Sequence, residues 1–200
     1  MKTNSNKKKL RNKDLFDGAK AYRIEELIMH GLCVSNLAFL IAKELKCDDQ
    51  FCHDVAMAGL VHDIGKVKIY GYIYNESSNE QMNIQKMRYI RMHSELGYDI
   101  LAAKGFNEEV LRAVLYHHEN YDGSGYPANL AGESIPLSAR ILRVCDVFAA
   151  LTSDRSYRNA FDVDTAIELM IDEVKNFDMH IFLIFMKVIH EVDLNRIMGR

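Results

Sequence analysis

Five histidines and three carboxylates are the residues of this chain best suited to chemistry. They are Glu26, His30, His62, Asp63, His93, His117, His118 and Asp146. Imidazole together with carboxylate is the ligand set that proteins use for Mn, Fe, Zn or Ni. A carboxylate such as that of Asp63 can bridge two ions that lie close together. Because these are too many ligands for one ion, we expect at least two divalent ions.

The other three histidines fit surface positions better. His53 precedes Asp54 and so repeats the His-Asp pair of residues 62 and 63, but no Gly-Lys pair follows it. We expect His53 and Asp54 to be solvated in the middle of a helix. His180 and His190, in the last predicted helix, are expected to be structural or surface histidines in the same way.

The elements that must position these residues are helices. Apolar residues recur at helical spacing, and the predicted helices cover residues 18–45, 49–62, 80–105, 107–119, 137–151, 164–174 and 179–192. Asp48 and Asp49 supply an N-cap for the second of them. Glycine, asparagine and serine favour loops over residues 66–80 and 122–127. Since no alternating pattern competes, the prediction is an all-α, single-domain helical bundle of about seven helices.

Length and composition predict one domain. Two hundred residues, 48% of them hydrophobic, suffice for a single core, and we assign residues 18–200 to it. Residues 1–17 are basic and polar and are expected to form a disordered tail. A formal net charge of -3 argues against a surface built to grip a nucleic acid polymer.

No secretion or membrane signal is expected. The tail lacks the apolar stretch of a signal peptide, and the most apolar segment, Ile181 to Ile189, is shorter than the roughly 20 residues that cross a bilayer. The four cysteines form no CxxC pair, which favours reduced thiols. We therefore expect a cytoplasmic protein with no membrane contact.

Two motifs give the chain a family resemblance. Residues 62–66 read HDIGK, and residues 117–127 read HHENYDGSGYP. Together with His30, His93 and Asp146 in the same order, they resemble the HD-GYP family, a branch of the HD superfamily of metal-dependent phosphohydrolases. The segments IPLSARI, from Ile135, and TSDRSYR, from Thr152, are similar to family segments as well. The resemblance covers about residues 20 to 190.

The resemblance implies a role for each candidate ligand. His30, His62 and Asp146 would bind one ion, and His93, His117 and His118 a second, with Asp63 bridging the two. Glu26 matches a glutamate that binds a third ion in some members of the family. Two or three divalent ions are therefore implied, with Fe or Mn as the metals.

The resemblance also implies a substrate. The family hydrolyses cyclic di-GMP to the linear dinucleotide pGpG or on to GMP, so a cyclic dinucleotide and signalling proteins are the implied partners. Asp63 and Lys66 would be catalytic, with Lys66 touching the scissile phosphate or the leaving oxygen. Arg155 and Arg158 would hold phosphate oxygens. The residues expected to shape the substrate cleft are Gly123, Gly125, Tyr126 and Pro127.

General chemistry agrees with these roles. A phosphodiester anion repels hydroxide, so hydrolysis near neutral pH needs cations that neutralise the phosphate and lower the pKa of a bound water. Arginine offers a planar fork to phosphate oxygens, and lysine adds a point charge.

Two other functions stay open at this point. The chain departs from the family between Val67 and Asn83, where the usual prolines are missing. This segment borders the implied cleft, so the substrate could be another cyclic dinucleotide or a nucleotide. A degenerate member that binds cyclic di-GMP or a protein without turnover is the third possibility.

Overall fold

The chain is built from seven helices of nine or more residues within the part that the structure describes. This computed structural model describes the backbone of residues 3–69, 88–154 and 159–192, with side chains from Ile24 onward. The helices are α1 (Thr3–Glu44), α2 (Asp49–Val61), α3 (His93–Ala102), α4 (Glu108–Tyr116), α5 (Leu137–Leu151), α6 (Val163–Asp172) and α7 (Met179–Glu191). A short 3-10 turn lies between α4 and α5 at Gly132–Ser134, and another lies between α6 and α7 at Val174–Asn176. No strand occurs in the described ranges, and the all-α prediction is confirmed.

The core is formed where α1, α5 and α7 meet. Leu37 and Ile41 of α1, Phe148 of α5 and Phe185 of α7 are completely buried. The rings of Phe148 and Phe185 pack edge to face, with centroids 5.2 Å apart. α1 also packs along α2, and α4 packs against α2, α3 and α5. This packing arranges the five helices from α1 through α5 around a common interior.

Side-chain caps fix where several helices begin. The Asp48 carboxylate accepts from the backbone N–H of Phe51 at 2.8 Å, which confirms the predicted cap of α2. The Asn107 side chain accepts from the N–H of Val110 at 3.0 Å and caps α4. Each cap satisfies an N–H group that has no partner inside its own helix.

Three helices differ from the sequence prediction by three or more residues at one end. α1 begins at Thr3, because residues 3–17 contain lysine, arginine and leucine without proline and so favour a helix. The expected disordered tail is therefore helical from Thr3, and the division of the chain at residue 17 stays a prediction. α4 ends at Tyr116 and not at Glu119, since the chain turns at residues 117 and 118. Of the helix predicted over residues 80–105, residues 80–87 lie outside the described ranges, and α3 itself covers 93–102.

One stretch of α1 has the length and composition of a membrane-crossing helix. Residues Ile24–Glu44 have a mean hydropathy of 1.5 over their most apolar window. A helix at the centre of a protein core meets the same criteria, and Val34, Leu37 and Ile41 are buried in this core. The stretch is therefore weak support for a membrane span.

We predict that Phe148→Ala lowers the free energy of unfolding by about 3–5 kcal/mol, because it removes a completely buried ring. Leu183→Ala on α7 is the control, since that side chain is 60% exposed and its removal should change stability by about 0.5 kcal/mol or less. Urea unfolding followed by circular dichroism measures both. Equal losses in the two variants would contradict this description of the core.

Candidate metal centre

Seven of the eight candidate ligands converge from five helices on one interior site. His30 comes from α1, His93 begins α3 and Asp146 comes from α5. The two remaining pairs directly follow α2 and α4. Asp63, His93, His117 and His118 form one group, and His30, His62 and Asp146 form the other. Within each group the ligand atoms lie within 4.8 Å of one another.

Asp63 lies between the two groups. Its Oδ1 is 3.2 Å from Nε2 of His93 in the first group. Its Oδ2 is 3.5 Å from Nε2 of His62 and 4.0 Å from Nε2 of His30 in the second. The two oxygens of one buried carboxylate therefore face different sets of imidazoles, which is the arrangement that a bridging ligand requires.

Three imidazoles are held by the backbone of their own helical turn. His62, His93 and His117 each place Nδ1 against the carbonyl oxygen three residues earlier, at 2.8, 2.5 and 2.6 Å. A carbonyl only accepts, so each Nδ1 carries the hydrogen and a neutral ring keeps its Nε2 lone pair. Hydrogen bonds of this kind orient the histidine ligands of metals.

This orientation leaves lone pairs that face one another. Nε2 of His93 and Nε2 of His117 are 3.2 Å apart, and burial, with the neighbouring imidazoles, holds the pKa of His117 well below its usual value. His117 is therefore neutral at pH 7 and its Nε2 is an acceptor. If the His93 ring also carries hydrogen only on Nδ1, its Nε2 is an acceptor too, and two acceptors at this distance repel unless a cation lies between them.

Buried atoms without partners lead to the same conclusion. Within the described residues, Nε2 of His62 and Oδ1 of Asp63 are buried and make no hydrogen bond. Leaving such groups unsatisfied is costly. Divalent ions would satisfy both atoms, so the donor set fits a binuclear centre of His and Asp ligands.

The charges of the carboxylates suit cation binding. Burial acts to raise the pKa of Asp63, but the charges of Lys66 and His62 outweigh it and hold the pKa well below its usual range. Asp146 is likewise held charged against its burial by the hydrogen bond from His30 and by the positive charge of His62. His30 Nε2 lies 2.9 Å from Asp146 Oδ1. Both aspartates are therefore anionic at neutral pH.

The histidines of the two groups differ in charge. Burial lowers the pKa of His118 to about 3, so this ring is a neutral ligand at pH 7. Burial also acts to lower the pKa of His62, but Asp63 and Asp146 raise it to about 10. A proton on His62 thus supplies, in the metal-free protein, part of the positive charge that an ion would bring.

The HDIGK motif has a steric reason for its glycine. A Cβ atom on Gly65 would overlap the carbonyl oxygen of His93, so only glycine lets α3 approach the turn after α2. Lys66 follows, and its Nζ lies 2.5 Å from Oδ2 of Asp63. The lysine side chain is 30% exposed, so it connects the buried carboxylate to the surface of the site.

The glycine-rich loop packs onto the ligand pair that precedes it. The Tyr126 ring stacks on the His118 ring at 4.8 Å, and its backbone N–H donates to the His118 carbonyl at 3.1 Å. Gly125 lies so close to residues 118–120 that a Cβ would collide with their backbone. Gly123 has a φ of +84°, which favours glycine. Pro127 continues the same loop, in which Gly125 and Tyr126 contact the ligand candidate His118.

Two residues of the site were not predicted. The Glu119 carboxylate is buried and accepts from the N–H groups of Ala128 at 2.6 Å and Leu130 at 3.1 Å. It therefore ties the far end of the loop to the histidine pair. Arg143 on α5 donates from Nε at 2.9 Å to Oδ1 of Asn120, two residues before the loop. The sequence offered one indication of this role, because Arg143 stands three residues before the ligand candidate Asp146.

One predicted site residue among those described joins neither ligand group, and two others lie outside the described residues. Glu26 lies one turn before His30 on α1 and is half-buried, but it belongs to neither ligand group. Its role in a third ion stays a prediction. Arg155 and Arg158 lie outside the described residues, as does the unusual segment from residue 70 onward.

Comparisons with known proteins agree with this geometry. The profile of a family described as HD domain matches residues 5–181. The chain is 34% identical over 166 residues to the cyclic di-GMP phosphodiesterase PA4108 of Pseudomonas aeruginosa, covering 82% of this chain and 40% of that protein. It is 34% identical over 145 residues to 3'3'-cGAMP-specific phosphodiesterase 1 of Vibrio cholerae, covering 72% and 33%. The chain thus spans less than half the length of these relatives.

A solved structure shares the fold. Bd1817, an HDG"Y"P protein from Bdellovibrio bacteriovorus, superimposes with a TM-score of 0.65 at 18% identity, covering 82% of this chain and 52% of that chain. This likeness supports the helical architecture and not a particular reaction.

We predict that Asp63→Asn loses one or both ions, because an amide is a poor bridge between cations. Elemental analysis of protein reconstituted with Mn measures the ions per chain. Wild type should bind at least two, and the variant fewer.

Asp54→Asn is the matched control. Asp54 belongs to the other His-Asp pair, is half-buried, and accepts hydrogen bonds from Gln50 and Asn107 on the exterior. It is therefore less solvated than expected, but it lies in neither ligand group. Full metal content in Asp63→Asn, or an equal loss in Asp54→Asn, would contradict the assignment.

Proposed function

Since this chain belongs to the HD domain family, we propose that it is a metal-dependent phosphodiesterase that hydrolyses cyclic di-GMP to linear pGpG, to GMP or to both. One observation carries the proposal. A single buried carboxylate, Asp63, faces two groups of His and Asp ligands at 3.2–4.0 Å. Two-ion centres of this kind serve hydrolysis of phosphate esters.

Bound divalent ions supply charge neutralisation at the phosphate and make a water more acidic. The residues of the chain prepare the site for them. The backbone hydrogen bonds at Nδ1 hold the rings of His62, His93 and His117 so that each Nε2 faces the centre. These rings therefore need little reorganisation when a substrate binds. Asp63 remains charged because Lys66 lies beside it.

Lys66 is the proposed contact to the leaving oxygen. Its Nζ is near Asp63 and its side chain reaches the surface, so it can place a positive charge where negative charge develops. Arg155 and Arg158, within the TSDRSYR segment, are proposed to hold phosphate oxygens. The loop from Gly123 to Pro127 forms the wall of the cleft beside His118.

The choice of substrate depends on relatives that are named for two different cyclic dinucleotides. One relative is named for cyclic di-GMP and another for 3'3'-cGAMP, at the same 34% identity. We favour cyclic di-GMP because of the HHENYDGSGYP motif, with 3'3'-cGAMP as the second candidate. Fe or Mn as the metals, Glu26 at a third ion, a cytoplasmic location and signalling proteins as partners belong to the same proposal.

The test is a panel of substrates. Purified protein loaded anaerobically with Mn or Fe receives cyclic di-GMP, 3'3'-cGAMP and cyclic di-AMP, and the products are separated by chromatography. We expect cyclic di-GMP to be cleaved most efficiently, to pGpG or GMP. Preferred cleavage of 3'3'-cGAMP would reassign the substrate. Binding without any product, at full metal content, would instead indicate a degenerate binding module.

A further inference from the structure

Arg143 is a cation beside the metal centre that the proposed reaction does not yet use. It lies three residues before Asp146 on α5. Residues at this spacing share one face of a helix. The guanidinium is half-buried and its Cζ lies 5.9 Å from the centre of the Phe177 ring. Arg143 is thus on the helix face that carries a metal-ligand candidate.

Its hydrogen bond places Arg143 at the wall of the cleft, because Asn120, which accepts from Arg143, donates in turn to Ser124 of the glycine-rich loop at 2.9 Å. The neighbouring charges agree with this position. Burial raises the pKa of Tyr126, and the charge of Arg143 opposes that rise. Burial lowers the pKa of Arg143 itself, while Asp146 and Tyr126 act to raise it. The guanidinium therefore lies within electrostatic reach of both the ligand Asp146 and the loop residue Tyr126.

The fork of this guanidinium is available to an anion. Within the described part of the chain, Arg143 donates one hydrogen bond, from Nε to Asn120, and forms no ion pair. Arg140, one turn earlier on the same helix, already has protein partners for its guanidinium. Its Nη1 is paired with Asp178 at 2.5 Å and its Nε donates to the Ile135 carbonyl. The Arg140 guanidinium is therefore paired within the fold, whereas the Nη atoms of Arg143 have no carboxylate or carbonyl partner among the described residues.

A partly desolvated arginine that forms no ion pair within the described residues suits a phosphate ligand, although Asp146 and Glu173 act on its charge from a greater distance. Burial removes water from the cation and strengthens its attraction for an anion. The planar fork matches two phosphate oxygens. Asn120 lies two residues after the ligand candidate His118. The hydrogen bond to Asn120 therefore fixes the Arg143 guanidinium relative to the metal centre, and the Arg143 side chain loses less conformational freedom when it binds a phosphate.

We propose that Arg143 binds the phosphate of a cyclic dinucleotide that is not being cleaved. The inference rests on the proposed function. Such a substrate carries two phosphodiesters, and the ligand groups with Lys66 serve the one that reacts. Arg143 donates to Asn120 from α5, whereas Lys66 lies in the turn after α2, so Arg143 offers a second cation from a different element of the same cleft. It would favour substrates with two phosphates over those with one.

Three variants and two substrates test this. Arg143→Gln removes the charge, Arg143→Lys keeps it without the fork, and Arg112→Gln removes a charge from the exposed face of α4. Cyclic di-GMP has two phosphodiesters, and bis(p-nitrophenyl) phosphate has one. Metal content and thermal unfolding are recorded for every variant.

We expect Arg143→Gln to raise KM for cyclic di-GMP about 10- to 100-fold, the usual effect of losing a charged hydrogen bond. Metal content, kcat and hydrolysis of bis(p-nitrophenyl) phosphate should stay near wild type. Arg143→Lys should recover part of the loss, and Arg112→Gln should match wild type.

Other outcomes overturn the inference in distinguishable ways. If Arg143→Gln loses metal or slows both substrates equally, Arg143 supports the centre through Asn120 and binds no second phosphate. If KM for cyclic di-GMP is unchanged in an active enzyme, the inference alone fails. If the wild-type protein cleaves bis(p-nitrophenyl) phosphate but no cyclic dinucleotide, the proposed function and the inference fail together.

Discussion

The rest of the structure depends on the burial of neutral imidazoles and charged carboxylates that face one another. Nε2 of His93 and Nε2 of His117 are 3.2 Å apart, and both rings donate from Nδ1 to the backbone. With hydrogen only on the Nδ1 atoms, this contact is repulsive unless a cation lies between the rings, and desolvating the two aspartates adds a further cost. Ions bound by these groups would therefore also stabilise the packing of the helices that bring the groups together.

The packing of the helices explains how such a centre is maintained. His30 and Asp146 come from helices that also contribute Leu37 and Phe148 to the core. The distance between the ligand groups is thus set by apolar packing around them. Gly65 lets α3 approach the end of α2, and Glu119 anchors the loop that stacks Tyr126 on His118. The cleft and the core are parts of one packed unit.

Much of this arrangement could be predicted from the sequence. Helical periodicity and caps such as Asp48 gave the order of the helices, and the motifs gave the ligand residues. Periodicity does not report how two turns approach, so the steric role of Gly65 was not predicted. The start of α1 was placed fifteen residues late, because polar composition was interpreted as disorder although it also suits a helix. Arg143 was not predicted, because its spacing of three residues from Asp146 places it on the same helix face but does not show whether its guanidinium reaches the cleft.

The central claim is that Asp63 joins two ions in one centre. Electron paramagnetic resonance of the protein reconstituted with Mn(II) tests it directly, because ions bridged by a carboxylate are magnetically coupled. The account predicts a coupled Mn(II) pair when at least two ions are bound per chain, and loss of that coupled signal in Asp63→Asn. A spectrum of isolated Mn(II) ions at the same stoichiometry, unchanged by Asp63→Asn, would contradict it.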